Sequence, residues 1–190
     1  PTDPSKADAC FTSWQKGEGI YTTNGAALGI IKRSSAQQPL PDLFVFGFPG
    51  TFKGYYPGYS GDVANYKNQF TWAVLKAHTL NTAGSVTLRS DDPRDVPDIN
   101  FRYFDEGNDA SREDLKAVVE GVKLVRALAD SLRKQGRIAE EEMPGPAYAD
   151  DDKLMQFVKD HAWGHHASCT CPIGLRERGG VLSGDFKVYG

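Results

Sequence analysis

The feature that most constrains the fold of this chain is a change of hydrophobic period just after residue 103. Before it, apolar residues come in short runs suited to strands. Residues 43–48 (LFVFGF) are aromatic and β-branched and lie between prolines, and residues 70–78 (FTWAVLKAH) alternate over part of their length. Residues 85–89 place Val86 and Leu88 on one face, residues 99–103 alternate again, and residues 27–32, with Ile30 and Ile31, add a further strand. After residue 103 the spacing becomes three and four. Leu115, Val118, Val119, Val122, Val125, Leu128 and Leu132 keep one helical face apolar. Ser111 with Asp114 has the form of a capping box at the start of that helix, and Gly136 is its stop. Past a Pro/Gly connector at residues 143–146, Asp150 to Asp152 open a shorter helix carrying Leu154, Phe157, Val158 and Ala162. Strands first and helices afterwards predict an α+β fold, an antiparallel sheet with helices packed on one face.

At 190 residues the chain is long enough to bury a core. Its net charge of −3 excludes a general nucleic-acid binder, because Lys32, Arg33, Arg176 and Arg178 are too sparse to track phosphates. No apolar run reaches bilayer length, and no charged-then-apolar signal segment opens the sequence. A first residue of proline in place of methionine implies processing, cleavage or excision from something longer. Residues 1–20 read as an irregular leader, residues 22–25 as a turn, and residues 54–61 as a loop rich in glycine and tyrosine.

The chemistry concentrates near the end, in residues 163–174 (WGHHASCTCPIG). His165 and His166 leave the second helix and enter a loop, where an imidazole is easily poised to move a proton near neutral pH. His161 falls on the apolar face of the helix and His78 at a strand end, so both read as structural. His161, His165, His166, Cys169 and Cys171 carry zinc-type donors, but no second Cys/His pair stands elsewhere to close a tetrahedral site, and no metal is assigned. Cys10 and His78 are isolated. Tyr55, Tyr56 and Tyr59 fit either a pocket wall or plain packing. Residues 58–61 lack the Gly-x-Ser-x-Gly elbow, and no strand–glycine–helix unit carries a dinucleotide fingerprint.

Three stretches resemble the glucose–methanol–choline family of flavin oxidoreductases. Residues 21–25 (YTTNG) and 41–46 (PDLFVF) are similar to its substrate-domain entry and Pro-Asp-led strand. Residues 84–99 (GSVTLRSDDPRDVPDI) follow its Gly-Ser-Val-x-Leu-x-Ser, Asp-Pro and Pro-x-Ile succession. The family's loop, approximately His-x-x-Gly-Thr-x-x-Met-Gly, corresponds to residues 166–174, with Cys169 in place of the glycine and Ile173 in place of the methionine. The resemblance implies that residues 21–162 form a substrate-binding α+β domain, and that residues 163–190 form an active-site histidine loop returning toward a flavin domain this chain lacks. It implies FAD as cofactor, held mainly by segments outside this chain, and an alcohol or sugar as substrate. His166 is then the proton acceptor that stabilises the developing alkoxide during hydride transfer, with His165 and Trp163 as substrate-binding residues. The remaining flavin-binding part of the enzyme would be a partner, and the chain alone is expected to be inactive. The competing reading is a non-catalytic α+β module that binds a ligand or partner through its aromatic loops.

Overall fold

In a computed structural model, which describes residues 8–66, 68–164, 166 and 168–190, the alternating runs form two antiparallel sheets rather than one. The first pairs β1 (Leu28–Lys32) with β2 (Leu43–Pro49), and β2 with β3 (Phe70–Lys76). The second joins only β4 (Ser85–Thr87) to β5 (Asp98–Asn100), so the outer halves of the runs expected at 85–89 and 99–103 are not strand. Helix α1 (Ala9–Trp14) precedes β1, and α2 (Tyr59–Asn65) stands between β2 and β3. Then come α3 (Glu113–Lys134) and α4 (Asp151–His161).

Alternation along β2 decides which face is the core. Leu43 and Val45 are fully buried, and Val45 lies opposite Ile30 and Val74. Helix α3 crosses this face at close range: a Cβ added to Gly121 would stand 2.4 Å from Val74 Cγ1. The apolar stripes of α3 and α4 meet beyond it, where Leu115 and Val119 pack on Leu154 and Val158. Phe104, Tyr148 and Phe157 close the rim of that cluster. This is an antiparallel sheet with helices on one face, an α+β fold.

A buried ionic knot joins sheet to helix. Lys76 Nζ lies 3.3 Å from Asp42 Oδ2 and 3.5 Å from Asp114 Oδ1, and donates to the carbonyls of Ala77 (2.6 Å) and His78 (3.3 Å). Asp114 in turn accepts the backbone amides of Leu80 and Asn81 at 2.9–3.0 Å. Ser34 donates its amide (2.6 Å) and hydroxyl (2.7 Å) to Asp42. Burial pushes the Asp42 carboxyl up, but Ser34 and the Lys76 ammonium outweigh it and hold it below the usual carboxylate value. Among the described residues no buried side-chain polar atom lacks a hydrogen-bond partner. Arg126 makes a second tie. It forks onto Glu141 at 2.7–3.1 Å and donates to the carbonyls of Tyr148 and Gly145, fixing the connector between α3 and α4.

Local expectations fare unevenly. Asp150 caps α4 by accepting the Lys153 amide at 2.9 Å, and Gly136 ends α3 at φ 68°. The capping box is overturned: Ser111 donates its hydroxyl to Asp109, and it is Asp109 that accepts the Asp114 amide at 2.8 Å. Arg112, in the left-handed region at φ 57°, separates Ser111 from the helix start, so its hydroxyl cannot cap the first turn. Within the stretch read as irregular, Asp8 caps α1 through the amides of Cys10 and Phe11. The Gly/Tyr loop closes into α2 from Tyr59.

The opposite face of the first sheet is open. Phe44, Phe46 and Phe48 form a ladder of rings along β2, with centroids 5.5 and 6.1 Å apart. Ile31, opposite Phe44, is 74% exposed. The chain exposes 14164 Å² of accessible surface. A compact monomer of this size would expose about 9,000 Å².

Candidate functional site

Helix α4 delivers the histidine loop. It ends with Ala162 in extended backbone, whose amide still donates to Val158. His161 is settled at the helix end: one ring nitrogen lies 3.0 Å from the Phe157 carbonyl and the ring stacks on Phe157 at 4.4 Å. It is exposed at the helix terminus rather than buried in the core. His78 sits two residues past β3 at φ 51°, exposed, with its carbonyl accepting from Lys76.

Trp163 turns into an aromatic cluster built by the β2–β3 connection. Its ring stands edge-on to Tyr55 at 5.4 Å and to Phe52 at 5.9 Å, while Tyr55 meets Tyr59 at 5.2 Å. Phe52 is held in place because its amide donates to the Thr71 hydroxyl (3.1 Å), which itself donates to the Gly50 carbonyl (2.7 Å). Gly54, at φ 107°, takes a backbone conformation that favours glycine and lies alongside the indole, where a Cβ would sit in ordinary contact with Trp163 Nε1 at 3.5 Å. Phe48 reaches Phe52 at 6.2 Å, so the open-face ladder continues without a break to the start of the histidine loop. Tyr56 donates its hydroxyl to Asp62, an interaction that raises its pKa and anchors the first turn of α2.

On the far side of the loop stands Tyr103. Its hydroxyl lies 3.6 Å from where a Cβ on Gly164 would be, and its ring stacks on Phe101 at 5.1 Å and 16°. These two rings line an open groove against Gln156, Lys159 and Asp160 of α4. Lys159 is ion-paired with Asp105, whose carboxyl is held below its usual range first by that ammonium and also by Arg112.

His166 is exposed in irregular backbone three residues beyond Trp163. His165, assigned with it to substrate binding, lies outside the described residues. Cys169, which the resemblance sets where a glycine is usual, takes a glycine-like φ of 73°. The loop then ties into the tail: the Gly174 amide donates to the Leu182 carbonyl (2.9 Å), and the Tyr189 hydroxyl to the Gly174 carbonyl (3.1 Å). Gly180 passes so close that a Cβ would lie 2.1 Å from the Gly174 oxygen. Cys10, Cys169 and Cys171 are free and exposed. Among the described residues no group of three or more His, Cys, Asp or Glu side chains gathers as a metal would require. No helix among them is long and apolar enough to cross a membrane.

Phe52 and Tyr103 belong to no motif, and only the folded chain brings them to the loop. The arrangement is an exposed imidazole three residues along the chain from a Trp163 packed among Phe52 and Tyr55.

Residues 81–190 match the family model described as GMC oxidoreductase. The chain is 29% identical over 175 residues to an oxygen-dependent choline dehydrogenase of Pseudomonas syringae pv. syringae, covering 92% of this chain and 29% of that protein. The corresponding enzyme of Pseudomonas fluorescens Pf-5 is 32% identical over the same shares. A glucose methanol choline oxidoreductase, atC, of Aspergillus terreus is 33% identical over 65% of this chain and 19% of its own length. The chain thus spans under a third of the length of these relatives.

Proposed function

For this chain, which belongs to the GMC oxidoreductase family, we propose the role of substrate-side part of an FAD-dependent enzyme that oxidises an alcohol or sugar CH–OH group. The observation that carries the reading is His166, exposed three residues beyond Trp163, which packs against Phe52 and Tyr55, in a loop that resembles the family's histidine motif.

A neutral imidazole at this position accepts the hydroxyl proton of the substrate, or holds it by a hydrogen bond, as negative charge grows on the oxygen. Trp163 and His165 are the substrate-binding residues of this reading, and the rings of Trp163 and Tyr55, about half exposed, offer the substrate an apolar surface. The flavin, when bound, supplies the hydride acceptor. The residues present suit the reacting side of such a cofactor, an exposed imidazole in a loop that begins at the aromatic cluster of Trp163. Among the described residues no glycine-rich strand–turn–helix stands ready for its pyrophosphate, and in this reading the body of FAD is held by the remaining flavin-binding part of the enzyme. The open face with Ile31, Phe44, Phe46 and Phe48 is the surface that this part would cover, in keeping with the chain's excess of exposed area. In this reading residues 21–162 bind substrate and residues 163–190 carry the catalytic histidine.

The test is His166→Ala in the complete flavin-bound enzyme, mixed rapidly with choline, D-glucose and benzyl alcohol in turn. Flavin reduction by the reactive alcohol should slow by at least about 100-fold, with much less change in substrate affinity. Unchanged reduction removes His166 from the mechanism, and no reduction of the unaltered enzyme by any alcohol removes the assignment of substrate.

A further inference from the structure

Beyond the histidine, the same loop carries two thiols that the proposed reaction does not use. Cys169 and Cys171 are both free and exposed, and Thr170 alone separates them. Even a fully extended backbone holds such a pair at most about 7 Å apart, on the same side of the chain. Here the backbone bends at residues 169, 170 and 171, with Cys169 at φ 73°, and bending shortens that span. A disulfide takes Cα separations of about 4.4–6.8 Å, so these two cysteines can be bridged without moving any distant part of the fold.

The two are not held alike. Cys171 runs straight into Pro172, whose carbonyl accepts the amides of Val181 and Leu182 at 2.8 and 3.1 Å, so its backbone is tied to the tail. The Cys169 thiol only donates to the hydroxyl of its neighbour Ser168, at 3.5 Å. That is a weak bond at an exposed position, and little opposes a rotation of the thiol toward Cys171. Cys10, the third free thiol, belongs to α1 and provides an internal control.

We propose that Cys169 and Cys171 form a redox-active dithiol, oxidised by hydrogen peroxide to an intrachain disulfide and restored by a small thiol. One thiolate attacks a peroxide oxygen; the O–O bond breaks, giving a sulfenic acid and a hydroxide that takes up a proton as water. The second thiolate then attacks the sulfenic sulfur. The S–S bond forms, the S–O bond breaks, and the oxygen leaves as a second water. Two thiols and one hydrogen peroxide thus become one disulfide and two waters. The bridge closes a small ring around Thr170 and stays exposed, and disulfides of that kind are readily reduced. Two glutathione molecules return the dithiol and leave as glutathione disulfide. The inference does not depend on the role of His166.

Peptide mass mapping of the complete flavin-bound enzyme tests it. Trypsin cuts after Lys159 and Arg176, and residues 160–176 hold both cysteines in one peptide without Cys10. After hydrogen peroxide, then alkylation without reductant, this peptide should be lighter by two hydrogens and carry no alkyl group. Glutathione should bring back two alkylated cysteines. Diluting the enzyme about ten-fold should leave the rate of closure unchanged, because the second step is intramolecular. Cys169→Ser and Cys171→Ser should each abolish the bridge and leave the remaining thiol as an oxygen acid, while Cys10→Ser should change nothing. Two alkyl groups after peroxide would overturn the proposal. So would a bridge to Cys10 or to a second molecule, or a bridge that glutathione cannot open. If a serine variant loses its flavin, the peptide of the unaltered enzyme decides alone. Either result leaves the assignment of His166 to its own test.

Discussion

The body of the molecule and its last thirty-odd residues are stabilised in opposite ways. In the body, α3 and α4 share a closed apolar cluster, and Lys76, Asp42 and Asp114 satisfy one another out of water. Past Val158 no described residue is buried, and the segment is held by backbone bridges such as Ile173–Leu182 and by the Tyr189 hydroxyl. The body can tolerate little change, because side-chain contacts carry it. The tail depends on what stands against it, and its stability should respond mainly to backbone conformation.

The contrast is most directly broken at Lys76. Replacing it with alanine leaves two buried carboxylates unpaired and should cost about 3–5 kcal/mol, read as a loss of urea resistance. A loss of under about 1 kcal/mol would mean that water already reaches the knot.

Acid probes the same place by titration. The folded Asp42 carboxyl lies below its ordinary value of 3.8, so its contribution is fully present above that pH and is lost as pH falls through the folded value. Melting temperature should therefore drop below about pH 4, and Asp42→Asn should flatten that drop while lowering stability at neutral pH.

In the tail, Cys169→Gly should act in the opposite direction. It relieves a left-handed φ of 73° and should raise stability by about 1 kcal/mol, seen as a higher melting temperature. A lower one would show that the thiol is worth more than the strain. The smallest effect on folding belongs to the open face, where Ile31→Ser should change stability by less than about 0.5 kcal/mol. Light scattering should nonetheless report weaker self-association, since that side chain is three-quarters exposed.

How much of this was legible in the sequence follows the same division. The runs that became β2 and β3, and the stripes of α3 and α4, were readable because burial on one face imposes a period on neighbouring residues. Asp150 was readable because a cap is a local bond. Ser111 misled because the chain enters α3 through a left-handed Arg112, which composition does not announce. The division of five strands into two sheets depends on pairings between distant residues, such as Val86 with Ile99, and local pattern carries no trace of it. At the site, His166 stood out by its motif. Phe52 and Tyr103 did not, since an aromatic residue beside a loop looks like any other until the fold brings the two together.

Gly121 has a consequence out of proportion to its size. A glycine in mid-helix gives up roughly 1 kcal/mol of helix propensity relative to alanine. Here the missing methyl lets α3 settle onto Val74, closer than any other residue would permit. Helix α4 packs on α3, and the histidine loop departs from α4, so the close approach at residue 121 fixes the level from which that loop starts. One absent carbon thus sets how far above the sheet the helix pair that delivers the loop can stand.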